Sequence, residues 1–347
     1  MAASDPATSL MLREAREAPA AVARLLAENA ATCRNLGARL RDLAPPFAVS
    51  CARGSSDNAA TFAKYLFEIR LGLVTASVGP SVRSVYAAAP SMRGALFLAI
   101  SQSGRSPDLL HLAEAARAGG ALTLVLVNDT GSPLAEICEI ALPLHAGPER
   151  SVAATKSWIC SLAAILQLAA YWAEDKKLLA ALDGLPEALE KAAGQDWSAA
   201  AAQLAGATNL FVVGRGIGLA LAQEGALKLK ETCGIHAEAL SAAELMHGPL
   251  TLAGPDFPVL VFSQHDEAYQ SVADLIASLH ARDVPVIAAG PTPGGGCLAL
   301  PCDPSLNPFV TPITLIQSFY PLVERVARLR GRDPDAPPHL KKVTETI

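Results

Sequence analysis

NLFVVGRGIGLALAQEGALKLKE, residues 209–231, contains the pattern that decides the fold: a short apolar run, a turn with Arg215 and Gly216, and a helical segment. The stretch VSCARGSSDNAATFAKYLFE, residues 49–68, repeats this order around Arg53 and Gly54 with about one residue of gap. Runs rich in Val, Ile and Leu without alternation are typical of strands buried on both faces. The repeat predicts a duplicated α/β domain.

Further apolar runs extend this pattern in both directions. Strands are predicted at residues 47–52, 74–79, 95–100, 122–129, 209–214, 258–263, 285–290 and 297–301. Helical patterns of about 12 to 20 residues separate many of them, including residues 107–118 and 311–330. Strands that alternate with helices form right-handed βαβ units on a parallel sheet. The predicted fold class is therefore α/β, with two tandem doubly wound parallel-sheet domains of the flavodoxin-like αβα type.

Composition shifts suggest where these domains begin and end. A charged stretch with a wholly helical pattern, residues 176–205, is predicted to connect the first domain, 29–175, to the second, 206–330. A helical segment, 1–28, precedes them. The tail, 331–347, contains three prolines and is not expected to form a regular helix.

The composition excludes several classes of protein. Hydrophobic residues make up 51% of the 347 residues and charged residues 18%, so most of the chain has enough apolar material to fold. The formal net charge of −5 disfavours a nucleic-acid partner, because phosphate-backbone affinity needs clustered Lys and Arg. A local site can still be positive and bind an anionic substrate.

The cysteines and the apolar segments indicate a cytoplasmic protein without a membrane span. The seven scattered cysteines include no CxxC pair, so we expect reduced, mostly buried thiols. The first 19 residues contain Asp and Glu where a signal peptide needs a basic start and an apolar run. The uncharged stretch at residues 157–173 is shorter than a spanning helix and is predicted to be a buried one.

Two polar turns after predicted strands have the chemistry of phosphate sites. SQSGRSPD, residues 101–108, places Ser106 as an N-cap before Pro107, and RGSSDN, residues 53–58, lies between another strand and helix. Hydroxyls and the first amides of a helix bind anions, although Ser and Gly also simply make tight turns. No GxxxxGK[ST] motif is present, and GRGIG at 214–218 has Leu219 where a dinucleotide fingerprint needs glycine. We expect no cofactor.

Charged residues on one predicted helix are candidates for proton transfer. Glu224, Lys228 and Glu231 share a face of a helix that is otherwise rich in Ala, Leu and Gly, although an ordinary solvated face would show the same spacing. Downstream, Gly248 and a proline should end a helix at His247, where the helix C-terminus favours the imidazolium form. Metal binding by the downstream His and Glu residues is a competing interpretation, but no HExxH spacing exists and we expect no metal. These residues are His236, Glu238, Glu244 and His247.

These motifs together resemble a known family. The segments CARGSSDNAATFAKYLFE, SQSGRSPD, SVAATKSW, EGALKLKETCGIHAEALSAAELMHGPL and DPDAPPHLKKVTE are similar to the isomerase half of glucosamine-6-phosphate synthase and to related deaminases of the sugar isomerase (SIS) domain family. The resemblance covers nearly the whole chain.

The resemblance implies a role for individual residues. Glu231 would move a proton between C1 and C2 of an open-chain sugar, with Lys228 and Glu224 orienting it. His247 would open the sugar ring from the neighbouring subunit of a homodimer. Lys342 would form a Schiff base with the ketose, with Lys341 as the neighbouring alternative. Contacts to phosphate and sugar would come from Ser55, Ser56, Ser101, Gln102, Ser103, Ser106 and Val152.

Two departures from the family pattern bear on the activity. Ala154 stands where the synthase has a serine, so one sugar contact is lost or altered. Residue 2 is Ala, where the synthase has the cysteine nucleophile of its glutaminase domain. This chain is therefore expected to lack a glutaminase domain. The expected reaction is therefore degradative: glucosamine 6-phosphate and water would give fructose 6-phosphate and ammonia.

Three alternatives remain open at the level of sequence. A deglycase of sugar-phosphate adducts, or a deaminase or isomerase of the galacto epimer, would keep the same phosphate loops. A sugar-phosphate-sensing regulatory protein would also keep the serine loops but would not need Glu231, His247 and Lys342, all of which are present.

Overall fold

Two five-stranded parallel sheets organise the computed structural model, which describes residues 8–292 and 295–342. Ala2, on which the comparison with the glutaminase nucleophile depends, lies outside the described residues, and so does the end of the tail. The described residues divide into two compact units. The first-repeat unit contains residues 20–149, 156–184 and 341–342; the second-repeat unit contains 8–19, 150–155, 185–292 and 295–340.

The first-repeat unit is built on a sheet with the strand order β2-β1-β3-β4-β5. Its strands are β1 (Ala48–Cys51), β2 (Thr75–Ser77), β3 (Leu96–Ser101), β4 (Leu122–Val127) and β5 (Ile140–Pro143). Its helices are α2 (Ala18–Leu43, of which the first two residues fall in the other unit), α3 (Ser55–Leu71), α4 (Ser81–Ser84), α5 (Pro107–Ala118), α6 (Pro133–Ile137), α7 (Lys156–Trp172) and α8 (Lys176–Asp183).

The second-repeat unit has the equivalent sheet, with the order β7-β6-β8-β9-β10. Its strands are β6 (Asn209–Gly214), β7 (His236–Ser241), β8 (Val259–Phe262), β9 (Val286–Ala289) and β10 (Leu298–Leu300). Its helices are α1 (Leu10–Arg16), α9 (Leu185–Ala193), α10 (Ala201–Gly206), α11 (Leu219–Lys228), α12 (Ala242–Met246), α13 (Tyr269–His280) and α14 (Thr311–Leu329). The identical strand order confirms the predicted duplication and the α/β fold class.

Each sheet carries a core of apolar side chains on its faces. In the first-repeat unit, every residue of β3 and β4 is buried, and α5 packs Leu109, Leu112 and Ala116 into the same cluster. In the second-repeat unit, β8 and β9 are buried and α13 contributes Leu275 and Leu279. Strands covered on both faces have no polar side to alternate, which explains why these runs are continuously apolar.

Two strands were not predicted from the sequence. β5 and β7 are edge strands of their sheets, and β7 leaves His236 and Glu238 exposed. β7 is only partly covered and tolerates charge, so it lacks the apolar run that marks a central strand, whereas β5 is a four-residue strand that ends at Pro143.

The uncharged stretch predicted as a buried helix forms α7, in which every residue except Tyr171 is buried. In the described part of the chain, no helix is long and apolar enough to cross a membrane. The stretch predicted as a helical connector contains α8, α9, a 3-10 turn (Ser198–Ala200) and α10, and α8 belongs to a different unit from the other elements.

Candidate active site

The loop that follows β3 is held in a tight turn by a hydrogen bond between two of its own residues. The buried hydroxyl of Ser101 accepts a hydrogen bond from the Gly104 N–H at 2.9 Å. Gly104 has a φ of +64°, and a Cβ at this position would lie 2.1 Å from Ser132 Oγ, so the turn requires glycine. Ser106 is the N-cap of α5, as predicted, but its side chain makes no capping hydrogen bond. With Gln102 and Ser103, it forms a half-buried polar rim at the carboxyl end of the sheet.

The second polar turn lies between β1 and α3. Gly54 is the N-cap residue with a φ of +57°, and Ser55 and Ser56 are the first two residues of the helix, both half-buried. Burial raises the pKa of Asp57 above its ordinary value, and the nearby Arg53 guanidinium offsets part of that rise. The turn therefore presents helix amides, two hydroxyls and a guanidinium, which are groups that suit an anion.

Arg53 connects the two polar turns. Its Nε and Nη2 atoms lie 2.9 and 2.5 Å from Oδ2 of Asp108, a residue of the first turn of α5 that is fully buried. The Arg53 side chain itself is 49% exposed. A buried carboxylate needs a charged partner, and this one receives it from the neighbouring loop. The role of Asp108 could not be predicted from the sequence, because no local pattern marks a pair of residues 55 positions apart in the chain.

The candidate lysine of the tail makes an ion pair within the first-repeat unit. Lys342 Nζ lies 3.6 Å from Oε2 of Glu149, whose side chain is fully buried. The Glu149 carboxylate also accepts hydrogen bonds from the Ser157 N–H at 3.1 Å and from the Ser157 hydroxyl, at the start of α7. Lys341 is exposed. Of the two candidate lysines, Lys342 is the one whose ammonium lies beside a buried carboxylate.

The segment 150–155 carries two of the residues that the sequence analysis discussed. Val152 and Ala154 are half-buried, whereas the intervening Ala153 and the neighbouring Ser151 are buried. Ala154 presents a methyl group where the resemblance has a hydroxyl. A contact from the side chain of residue 154 would therefore be apolar.

Glu224, Lys228 and Glu231 come together in the second-repeat unit. Lys228 Nζ lies 2.8 Å from Glu231 Oε2 and 3.4 Å from Glu224 Oε1. Lys228 and Glu224 are buried, whereas the side chain of Glu231 is 22% exposed. Burial alone would lower the pKa of Lys228, but the two carboxylates more than offset that effect and raise the pKa above its ordinary value. The alternative of an ordinary solvated helix face is therefore wrong.

The backbone widens where Glu231 lies. The α-helical pattern of α11 ends at Lys228, and residues Leu229–Cys233 form a single π-helical turn that ends at Gly234, with a φ of +60°. Such turns occur frequently at functional sites because the wider spacing redirects side chains. On the other side of the cluster, the buried Tyr320 hydroxyl donates to Glu224 Oε1 at 3.5 Å. Tyr320 was not predicted to be part of this cluster, because it belongs to a distant helix, α14.

His247 lies at the C-cap of α12, where Gly248 and the following proline were predicted to end the helix. Its side chain is exposed. In the described part of the chain, no side-chain hydrogen bond or ion pair involves His247. The structure thus shows Glu224, Lys228 and Glu231 as one cluster, while His247 lies outside it.

The alternative of a metal site finds no cluster to support it. His236 and Glu238 are exposed on the edge strand β7, and Glu244 is exposed on α12. Within residues 8–292 and 295–342, no group of three or more His, Cys, Asp or Glu side chains is arranged to hold a metal ion.

The fold and these polar turns define the class of protein. Open parallel α/β sheets bind their ligands outside the carboxyl ends of the strands, and the two polar turns of the first-repeat unit lie at such ends. The chain belongs to the SIS domain family, whose model matches residues 48–171 and 203–289.

Several curated proteins and solved structures are similar to this chain. The chain is 33% identical over 310 residues to a glutamine–fructose-6-phosphate aminotransferase from Zymomonas mobilis, covering 85% of this chain and 51% of the relative. It thus spans about half the length of such curated relatives. A proposed phosphosugar isomerase from Silicibacter pomeroyi is 43% identical, with a TM-score of 0.90 over 94% of this chain and all of the other. Glucosamine-6-phosphate deaminase from Thermotoga maritima, at 21% identity and a TM-score of 0.75 over 97% of this chain and 100% of its own, shares the fold.

Proposed function

We propose that this protein is a sugar-phosphate isomerase of the SIS family that acts as a glucosamine-6-phosphate deaminase. Glucosamine 6-phosphate and water would give fructose 6-phosphate and ammonia. The observation that carries the proposal is the cluster around Lys228: a buried ammonium lies between two carboxylates, and the partly exposed one, Glu231, can reach a ligand.

Glu231 is the proposed acid and base. It would remove the proton from C2 of the open-chain amino sugar and return a proton to C1, while the amine loses a proton and the aldehyde oxygen gains one. The 2-amine thereby becomes a 2-imine and C1 becomes a hydroxymethyl group. One carboxylate can serve both carbons because they are adjacent on one face of the sugar. Lys228 would hold the Glu231 carboxylate in place, and Glu224 would balance the charge of the buried ammonium.

The remaining steps are assigned to two further residues. His247 would open the sugar ring by moving the proton of the anomeric hydroxyl to the ring oxygen as the bond between C1 and the ring oxygen breaks. Lys342 would add to C2 of the imine, release ammonia, and leave a Schiff base that water hydrolyses to the ketone. A homodimer in which each subunit lends its His247 to the other is part of the proposal, as is a cytoplasmic location.

The phosphate group would bind at the two polar turns of the first-repeat unit. Ser55, Ser56, Ser101, Gln102, Ser103 and Ser106 are the proposed contacts, and Arg53 would add positive charge while it holds the turns together. Val152 would contact the sugar. No step of the proposal requires a cofactor or a metal.

The comparisons support the proposal at the level of the family. The chain spans about half the length of the relatives named as aminotransferases, and its matched residues are those of the SIS domain. Water is the proposed second substrate, and glutamine is the alternative that the assay tests. The Silicibacter pomeroyi relative favours a second candidate, isomerisation of a phosphosugar without loss of nitrogen.

An assay of ammonia release tests these functions together. The purified protein would be given glucosamine 6-phosphate, galactosamine 6-phosphate, a 6-phosphorylated fructosyl amino acid, and fructose 6-phosphate with glutamine. We expect ammonia and fructose 6-phosphate from the first. Ammonia from galactosamine 6-phosphate alone identifies the other epimer, and release of an amino acid from the third identifies a deglycase. Amino-sugar synthesis from glutamine overturns the proposal. Binding without turnover of any sugar identifies a sensor, and ketose–aldose interconversion without ammonia identifies the second candidate.

A further inference from the structure

Two carboxylate side chains outside the proposed catalytic groups connect three segments of the second-repeat unit that are distant in sequence. Glu14 on α1 is buried, with 3% of its surface exposed. Its Oε1 accepts from the Arg150 N–H at 2.6 Å and its Oε2 from the Ser151 N–H at 3.1 Å. Both oxygens of this side chain therefore bind consecutive backbone amides of the segment 150–155.

Asp335 in the tail binds the same region from the other side. Its Oδ2 accepts from the Leu10 N–H at 2.6 Å and its Oδ1 from the Met11 N–H at 2.7 Å, so it caps the start of α1. Its Oδ1 also accepts from the Ser151 hydroxyl at 3.3 Å. Ser151 is therefore bound twice, through its amide by Glu14 and through its hydroxyl by Asp335.

We propose that Glu14 and Asp335 are positioning residues that together set the backbone of residues 150–152 and the path of the tail. The inference rests on the proposed function, which gives Val152 a sugar contact and Lys342 a covalent role. Val152 directly follows the doubly bound Ser151, and Lys342 lies seven residues after Asp335. Hydrogen bonds with charged acceptors are the strong ones, and two pairs of them fix orientation as well as position.

The side chains themselves argue for more than simple stabilisation. A buried carboxylate is expensive unless it is hydrogen-bonded, and an apolar residue at position 14 would pack α1 without that cost. Glu14 instead presents both oxygens to one short backbone segment. Such an arrangement is suited to holding amides in a defined geometry, and small displacements of ligand-contacting groups are known to have large effects on rate.

The test compares Glu14→Gln, Asp335→Asn and Ser151→Ala with a matched control, Glu28→Gln, which alters an exposed glutamate on α2. Hydrogen exchange is measured across residues 148–155 and α14. In Glu14→Gln we expect the amides of Arg150 and Ser151 to exchange about tenfold faster, with α14 unchanged. Unchanged exchange at these amides overturns the proposal. Where Glu14→Gln does not fold, Ser151→Ala decides, because it removes only the hydroxyl that Asp335 binds.

Binding and kinetics separate positioning from general stability. Glu14→Gln should weaken binding of glucosamine 6-phosphate and raise KM about tenfold, while kcat and the affinity for inorganic phosphate stay within about twofold. Asp335→Asn should lower kcat as well, since it also releases the tail. Equal loss of affinity for inorganic phosphate and for the sugar phosphate would show a merely structural role and overturn the inference. If wild-type protein turns over no sugar, the proposed function fails, but exchange and binding still decide the roles of Glu14 and Asp335.

Discussion

Lys228 Nζ lies 2.8 Å from Glu231 Oε2, in an ion pair that joins a fully buried ammonium to a carboxylate on a π-helical turn. A separation of three positions along the chain places two side chains on adjacent turns of an α-helix. The wider turn and the second carboxylate, Glu224, give the pair its geometry and its charge balance.

Glu231→Gln keeps the shape of the side chain and removes its ability to take up a proton. We expect kcat for ammonia release to fall by about 10² to 10⁴, the usual contribution of a positioned proton carrier, with substrate affinity little changed. Exchange of the C2 proton of glucosamine 6-phosphate with solvent deuterium, followed by NMR, should also stop. Glu238→Gln, on the exposed edge strand, is the control. Exchange at the wild-type rate in Glu231→Gln would move the role to Glu224.

Lys228→Met leaves Glu224 buried without its cation, and removal of one partner of a buried pair typically destabilises by about 3 to 5 kcal/mol. The folded-state pKa of Lys228 lies above its ordinary value of 10.5. Its contribution to the free energy of unfolding is therefore fully present below about pH 10 and is lost only as the pH rises through the folded-state pKa.

Urea denaturation at several pH values measures the difference in the free energy of unfolding between wild type and Lys228→Met. It should be constant from pH 7 to about pH 10 and should narrow above that range. Lys191→Met, which removes an exposed pair with Glu187, is the matched control and should change the free energy of unfolding little. Equal stabilities of the two variants would contradict the assigned burial of Lys228.

Replacing both Ser101 and Ser103 with alanine should weaken phosphate binding. A hydrogen bond to a charged group contributes about 1.5 to 3 kcal/mol, so KM should rise by about tenfold or more while the protein stays folded. Because Ser101 also accepts from the Gly104 amide, the loop itself should loosen. Ser271→Ala, on the exposed face of α13, is the control. An unchanged KM would place the phosphate elsewhere.

Arg53→Met should affect stability and binding together. It removes the guanidinium partner of the fully buried Asp108, so the free energy of unfolding should fall, by less than for a fully buried pair because the Arg53 side chain is 49% exposed. It also separates the two polar turns, so the affinity for inorganic phosphate should fall. Calorimetry measures binding, and denaturation measures stability. Arg39→Met, which removes an exposed pair with Glu139, is the comparison variant. Wild-type affinity for phosphate in Arg53→Met would remove Arg53 from the proposed site.

The thiols should differ sharply in reactivity. All seven cysteines are free; Cys297 and Cys302 are half-buried and the other five are buried. Burial raises the pKa of Cys51 to about 12 and that of Cys233 to about 11, so at pH 8 about one in a thousand or fewer of these groups is a thiolate. Iodoacetamide at pH 8, with mass spectrometry of the peptides, should label Cys297 and Cys302 first. Earlier labelling of Cys51 would contradict the described core.

Local patterns in the chain were sufficient for the central strands, for α5 and α7, and for the end of α12 at His247. Each of these depends on residues close together in sequence: a continuous apolar run, a proline after an N-cap, or a Gly-Pro pair. The duplication was also visible, because both repeats keep the same strand, Arg-Gly turn and helix. The conserved order of the two sheets follows from that repeat.

The partners of the charged groups could not be read in the same way. Arg53 with Asp108, Lys342 with Glu149, Tyr320 with Glu224, and Asp335 with the start of α1 join residues that are 55 to 325 positions apart. No local pattern encodes such pairs, because the energy of a buried charge depends on which groups folding brings within a few ångströms of it. The edge strand β7 was not predicted, for a related reason. Its exposed His236 and Glu238 give no indication of the neighbouring strand with which it pairs. Residue types and their spacing thus identified the chemical groups of this protein, whereas long-range packing assigned each buried charge its partner.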